Sequence, residues 1–184
     1  MKIKYKIATV DDAELIKNLI NEMYGIEYET RENIDIASAI NKKTEIYILA
    51  YLDNECVGFS GASLNNDYYA DIITPDIAVL DYIYSKNVNA SFKLISTLIK
   101  ELVKIGVNSA IIQVQTFNKQ RFFHYALSDK NIIKTSPVEY KGKMYEDQIL
   151  KIENLSKVSN ISFRELIKKA HNYNSEEKTN KKNI

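Results

Sequence analysis

Residues 2–7 run Lys-Ile-Lys-Tyr-Lys-Ile, and this period of two predicts a strand with one buried face. The period then changes. Ala13, Leu15, Ile16, Leu19, Ile20 and Met23 recur at helical spacing, predicting a helix over 11–23 that Gly25 ends. Thr9 followed by Asp12 is a capping-box pattern at its start. A weaker helical pattern covers 31–42 through Ile34, Ala37 and Ile40. Residues 45–52 are rich in β-formers, Asp53-Asn54-Glu55 is turn chemistry, and Cys56 to Leu64 returns as a second strand. Asn65-Asn66-Asp67 marks the next turn, and a strand over 76–84 follows Pro75.

A second strong helix is predicted over 91–105. Leu94, Ile95, Leu98, Ile99, Leu102 and Val103 form its apolar face, and Gly106 is its stop. Residues 109–115 read as a short apolar strand and 119–127 as a short helix. Residues 132–134 and 145–152 read as closing strands around the Lys141-Gly142-Lys143 turn. Ser162 and Glu165 repeat the capping-box pattern and open a helix to residue 172. Residues 174–184 lack apolar side chains until the last position and are expected to be disordered. The order is β-α-α-β-β-β-α-β-α-β-β. It predicts an α/β (α+β) fold, a mixed central sheet with helices packed on it, plus a short C-terminal helix. Residues 1–155 are expected to form one domain, with 156–184 as an appended helix and tail.

Composition narrows the chemistry. A formal charge of +1 gives no global argument for nucleic acid or an acidic membrane. One cysteine, Cys56, excludes an internal disulfide, and with His124 and His171 as the only histidines no metal site is expected. No apolar stretch follows Met1-Lys2-Ile3-Lys4 and no run approaches membrane-spanning length, so the expected location is the cytoplasm.

The junction of the 76–84 strand and the following helix carries the best chemical candidate. Lys86-Asn87-Val88-Asn89-Ala90-Ser91 precedes the apolar-periodic run. A helix start presents backbone N–H groups and the positive end of the helix dipole, which suits an anion. The stretch has no glycine, which phosphate-cradling loops use for positive φ and for close approach. Asn87 and Asn89 are the non-glycine residues best able to enter the left-handed region, and Ser91 is small and can cap. The competing reading is an ordinary strand–helix turn, where Asn and Ser are favoured anyway.

The chain resembles the GNAT superfamily of acyl-coenzyme A-dependent N-acyltransferases over residues 3–152. Val57-Gly58-Phe59 resembles the family's frequent Val-Gly-Phe. Asn118 and, seven residues later, Tyr125 stand where the family has a common Asn and Tyr. Asp147 to Lys151 resembles its closing strand. The signature loop Gln/Arg-x-x-Gly-x-Gly/Ala falls on Lys86 to Ser91 in degenerate form, with Asn89 and Ser91 at its glycine positions. The Gly-Phe that usually follows the Tyr is replaced by residues 128–131.

The resemblance implies acetyl-CoA as co-substrate. It places the pyrophosphate on Lys86, Asn87, Val88, Asn89, Ala90 and Ser91, and the pantetheine amides on the backbone of Ile83 and Tyr84, where the family's strand opens at a bulge. It implies that Asn118 assists coenzyme binding, that Tyr125 protonates the departing thiolate, and that the base is a strand carboxylate, Asp81 before Asp76, often acting through water, or no single residue. His124, one residue from Tyr125, faces another way on a helix and reads as packing or surface. The acceptor would lie near the first two helices and the 65–69 turn. Tyr24, Tyr28, Tyr68 and Tyr69 could line it, and Glu22, Glu27 and Glu29 would favour a cationic amine.

Two functions stay open. One is an N-acetyltransferase acting on a small-molecule or peptide primary amine by direct attack. The other is a non-catalytic GNAT-like binding module, supported by the missing glycines. Neither invokes nucleic acid or membrane as partner, and the exposed sheet edges and terminal helix suit a homodimer.

Overall fold

A computed structural model of the chain describes residues 2–25, 31–64, 69, 71, 72, 74 and 76–182. Its elements follow the predicted order with one short helix, α5, added before the last: β1 (Lys4–Ile7), α1 (Ala13–Tyr24), α2 (Asn33–Asn41), β2 (Glu45–Leu52), β3 (Glu55–Ser63), β4 (Ile77–Ser85), α3 (Val88–Lys104), β5 (Ser109–Gln115), α4 (Arg121–Ser128), β6 (Ile132–Tyr140), β7 (Lys143–Ile152), α5 (Leu155–Val158) and α6 (Phe163–Lys182). The chain divides into two compact units, residues 1–107 and 108–184.

In the first unit β1, β2, β3 and β4 pair antiparallel in sequence order. Side chains alternate across a sheet, so neighbouring residues serve opposite faces. Tyr47, Leu49 and Phe59 pack with Ile16, Leu19 and Ile20 of α1 and Ile36 of α2. Ser60, next to Phe59, turns the other way, and its hydroxyl donates to the Leu94 carbonyl of α3 at 3.1 Å. The sheet is therefore covered on both faces, by α1 and α2 on one and α3 on the other. Leu94, Leu98, Ile99 and Leu102 are buried, as the helical spacing predicted.

The entry to α1 is held as its capping box predicts, through a 3-10 turn over Val10–Asp12. The Thr9 N–H donates to Asp12 Oδ2 at 2.7 Å, and Lys6 Nζ donates to the same oxygen at 2.8 Å. Burial raises the Asp12 pKa, but the hydrogen bonds from Lys6 and Thr9 outweigh it and hold the carboxyl below its ordinary range. The resulting stabilisation is present above the unfolded-state pKa and is lost as pH falls through the folded one. Asp12→Ala should cost about 1–2 kcal/mol in urea titrations at pH 7. The difference from wild type should shrink in acid, where the native carboxyl is protonated too.

In the second unit β5, β7 and β6 pair antiparallel, with β7 central to the three. Two boundaries differ from expectation by more than two residues. The third-last predicted element, confined to 132–134, runs to Tyr140, because exposed polar residues pair with β7 through the Lys141-Gly142 turn. The segment expected to be disordered after residue 172 continues as helix to Lys182. Its support is tertiary: Leu166 and Ala170 are buried, and Glu177 forms an ion pair with Arg121 of α4 at 2.7 Å. Low hydropathy hid a helix held by its partner. The Ser162–Glu165 capping box is present, with the Glu165 N–H donating to Ser162 Oγ at 3.2 Å.

Among the described residues no helix is long and apolar enough to cross a membrane, and no group of three or more His, Cys, Asp or Glu side chains could hold a metal ion.

Candidate active site

In the first unit the predicted residues sit along the last half of β4 and the turn into α3. The β3–β4 ladder pairs Gly61 with Tyr82 but Ala62 with Leu80, leaving Asp81 as the extra residue of a β-bulge. Bulges re-aim a side chain and loosen the ladder. Beyond it Ile83 and Tyr84, both half-buried, lead to the loop. Asp81 thus stands two residues before the strand segment assigned to pantetheine.

The loop itself differs from its predicted conformation in an informative way. Helix α3 begins at Val88, three residues before the expected start, so Val88, Asn89, Ala90 and Ser91 are its first turn. Asn87 is the N-cap, with extended backbone at φ −119° and ψ 111°. Among the described residues none from 85 to 91 has positive φ. The left-handed conformation expected of Asn87 and Asn89 is therefore absent, and the turn does not require glycine for backbone reasons. The groups that would meet an anion are also occupied within the protein. Asn87 Oδ1 accepts from the Asn89 N–H at 3.0 Å, and Lys86 Nζ lies 2.8 Å from Glu22 Oε1.

Ser85 fixes this turn. Its hydroxyl donates to the Asn87 carbonyl at 2.7 Å and accepts from the Asn87 N–H at 3.1 Å. Gly58 allows the chain to close there, since a Cβ at this position would stand 2.6 Å from the Tyr84 carbonyl oxygen. The glycine of Val57-Gly58-Phe59 is thus a close-approach position.

Around Asp81 the structure gathers polar residues that sequence reasoning missed. Arg31 Nη1 donates to Glu45 Oε1 at 2.6 Å, and the Tyr47 hydroxyl donates to Glu45 Oε2 at 2.7 Å. Burial is the largest influence on Asp81. The Glu45 charge also raises its pKa, while Ser63 hydrogen bonds and the Arg31 charge lower it, leaving the carboxyl at about 6. Burial also pushes the Tyr47 hydroxyl well above the ordinary phenol range. The rings of Tyr47 and Tyr82 stack with centroids 6.1 Å apart, and a Cβ on Gly61 would stand 2.7 Å from the Tyr47 ring. A run of small residues, Ser60-Gly61-Ala62, was the one sequence signal that large neighbours stand here.

Of the acceptor-lining candidates, Tyr69 is buried and Tyr24 is 46% exposed. Tyr28, Tyr68, Glu27, Glu29 and the 65–68 turn lie outside the described residues.

In the second unit Tyr125 lies on α4, 4% exposed, and its hydroxyl donates to Gln148 Oε1 of β7 at 2.8 Å. Gln148 in turn donates to Glu146 Oε2 at 2.7 Å. Burial raises the Tyr125 pKa, opposed by the Arg121 charge. Asn118 uses its side-chain oxygen locally, accepting from the Gln120 N–H at 2.9 Å, and its carbonyl accepts from Arg121 Nη1 at 3.0 Å. Burial pushes the His124 pKa down to about 4, so the ring is neutral at pH 7 and supplies no imidazolium.

No protein-family model and no curated protein matches the sequence. Solved structures do match its fold. An acetyltransferase of the GNAT family from Streptococcus pneumoniae superposes with a TM-score of 0.64 at 16% identity, covering 82% of this chain and 98% of that one. Arabidopsis thaliana NAA60, in complex with acetyl-CoA, gives 0.58 at 15% identity, covering 82% and 97%. A spermidine N-acetyltransferase SpeG chimera from Vibrio cholerae and hSSAT gives 0.59 at 12% identity, covering 88% and 100%.

Proposed function

We propose, taking as premise that the chain has the fold of the GNAT acetyltransferases, that it transfers an acetyl group from acetyl-CoA to a primary amine. Residues 1–155 act as the acyltransferase domain, with 156–184 appended. The observation that carries the reading is the bulge at Asp81. It sets a carboxylate with a pKa of about 6 two residues before Ile83, on the strand that leads through Tyr84 to a capped helix start.

In this reading the backbone of Ile83 and Tyr84 pairs with the pantetheine amides, in the manner of strand addition by a ligand. Lys86 and the first turn of α3, Asn87 to Ser91, receive the pyrophosphate. Asp81 takes the proton from the acceptor ammonium, and a base with pKa about 6 is mostly ionised at pH 7. The free amine attacks the thioester carbonyl. The carbon–nitrogen bond forms, the nitrogen releases its remaining excess proton to water, the carbon–sulfur bond breaks, and the thiolate takes a proton. Asn118 assists coenzyme binding. Tyr125 is the proton donor that the family resemblance assigns. The acceptor is a small-molecule or peptide amine, the expected location is the cytoplasm, and a homodimer fits the exposed β6.

A binding module without turnover is the second reading. It is favoured by the internal satisfaction of the Lys86 ammonium and the Asn89 N–H.

The deciding experiment is a melting curve with acetyl-CoA. Coenzyme at 100 times its dissociation constant should stabilise the protein by about 2.7 kcal/mol. No shift at millimolar coenzyme removes both coenzyme binding and the enzyme. Acetyl transfer to a panel of primary amines, including a polyamine and peptide amino termini, then separates the two readings. Tyr125→Phe should lower kcat about 10- to 100-fold while leaving coenzyme affinity unchanged. Unchanged kcat removes Tyr125 from the chemistry.

A further inference from the structure

Glu22 occupies an electrostatically unfavourable place. It lies in the last turn of α1, where its carbonyl accepts from the Gly25 N–H at the helix end. The negative end of the helix dipole disfavours a carboxylate there. Its side chain is instead directed at the loop of β4 and α3. Lys86 Nζ is 2.8 Å from Glu22 Oε1, and the Tyr84 hydroxyl donates to the same oxygen at 3.2 Å. Both partners of the ion pair are partly exposed, 40% for Lys86 and 43% for Glu22. An exposed pair of this kind is weak and exchanges partners readily.

We propose that Glu22 is an internal competitor for the coenzyme's pyrophosphate, holding Lys86 until a polyanion displaces it and setting how tightly the loop binds polyanions. The inference rests on the reading of Lys86 to Ser91 as the coenzyme loop. A pyrophosphate brings more charge than one carboxylate and displaces Glu22 from the ammonium. A single carboxylate in solution does not, because Glu22 is already tethered beside Lys86 at high effective concentration. Glu22 thereby determines anion selectivity without touching the coenzyme.

The test is calorimetric titration of wild type, Glu22→Gln, Lys86→Met and the double variant with coenzyme A, at two salt concentrations. Glu22→Gln should bind about 2- to 5-fold more tightly. Its affinity should fall more steeply with salt, since Lys86 is then neutralised only by the ligand. Lys86→Met should bind more weakly, and adding Glu22→Gln to it should change nothing further. Pantetheine, which lacks the pyrophosphate, should bind wild type and Glu22→Gln alike. Unchanged or weaker binding of coenzyme A by Glu22→Gln overturns the inference alone. So does an equal gain in the Lys86→Met background. Failure of the wild type to bind coenzyme A overturns the proposed function, and this inference with it.

Discussion

Asp81→Asn should lower kcat by about 100-fold or more at pH 8, while coenzyme affinity stays near wild type. The wild-type rate should rise with pH through about 6 as Asp81 loses its proton, and this limb should vanish in the variant. Stability should move the opposite way. Asp81 carries a raised folded-state pKa, so its contribution is fully present below the unfolded value and is lost as pH rises through about 6. Above that pH the native state holds a carboxylate that burial disfavours, and the neutral amide removes this cost. Asp81→Asn should therefore be as stable as wild type or more so at pH 8, as read by thermal melting. A residue with only a structural role would lose stability along with activity. A retained acid limb, or full kcat, rejects Asp81 as the base.

Gly58→Ala should have the largest effect on the loop. The added Cβ would stand 2.6 Å from the Tyr84 carbonyl oxygen and 2.9 Å from Ser85 Cα, both backbone atoms that cannot swing aside. Strands β3 and β4 must separate where Lys86 donates its N–H to the Val57 carbonyl at 2.8 Å. The expected cost is about 1–3 kcal/mol in denaturant titrations. Coenzyme affinity should fall about tenfold or more, because the turn that positions Lys86 and Asn87 moves with the strand end. Gly106→Ala is the control. Gly106 has φ +89° and open space around it, so alanine there costs about 1 kcal/mol of backbone strain and leaves coenzyme affinity alone. Equal coenzyme affinities in wild type and Gly58→Ala would show that the close approach does not position the site.

The elements legible in the sequence were those with strong periodicity. Helices α1 and α3 declared themselves by apolar spacing, and β5 matched its predicted bounds at both ends. The loop was legible as a place but not as a conformation. Its residues suggested left-handed asparagines, whereas the backbone solves the turn with an extended Asn87 and the Ser85 hydroxyl. A serine at a strand end carries no periodic signal, and its role is visible only once the turn closes. The Arg31, Glu45 and Tyr47 cluster was illegible for a similar reason. Its members are charged or polar residues at a helix approach and along a strand, brought beside Asp81 only by cross-strand register. The run of helix α6 past residue 172 was missed because its outer face is polar throughout, and composition cannot see a partner fifty-six residues earlier.

That pairing has a consequence for how the chain is made. Arg121 is 8% exposed, with its guanidinium bidentate to Glu177 and stacked 4.2 Å from the Phe122 ring. During synthesis the arginine is added 56 residues before its counter-ion. At cellular elongation rates that is a delay of roughly 3–11 seconds. Throughout it, the guanidinium lacks the carboxylate that α6 later brings to it. Arg121 thus gains its counter-ion only once Glu177 has been made, and a ribosome stalled before that point would leave this ion pair unformed.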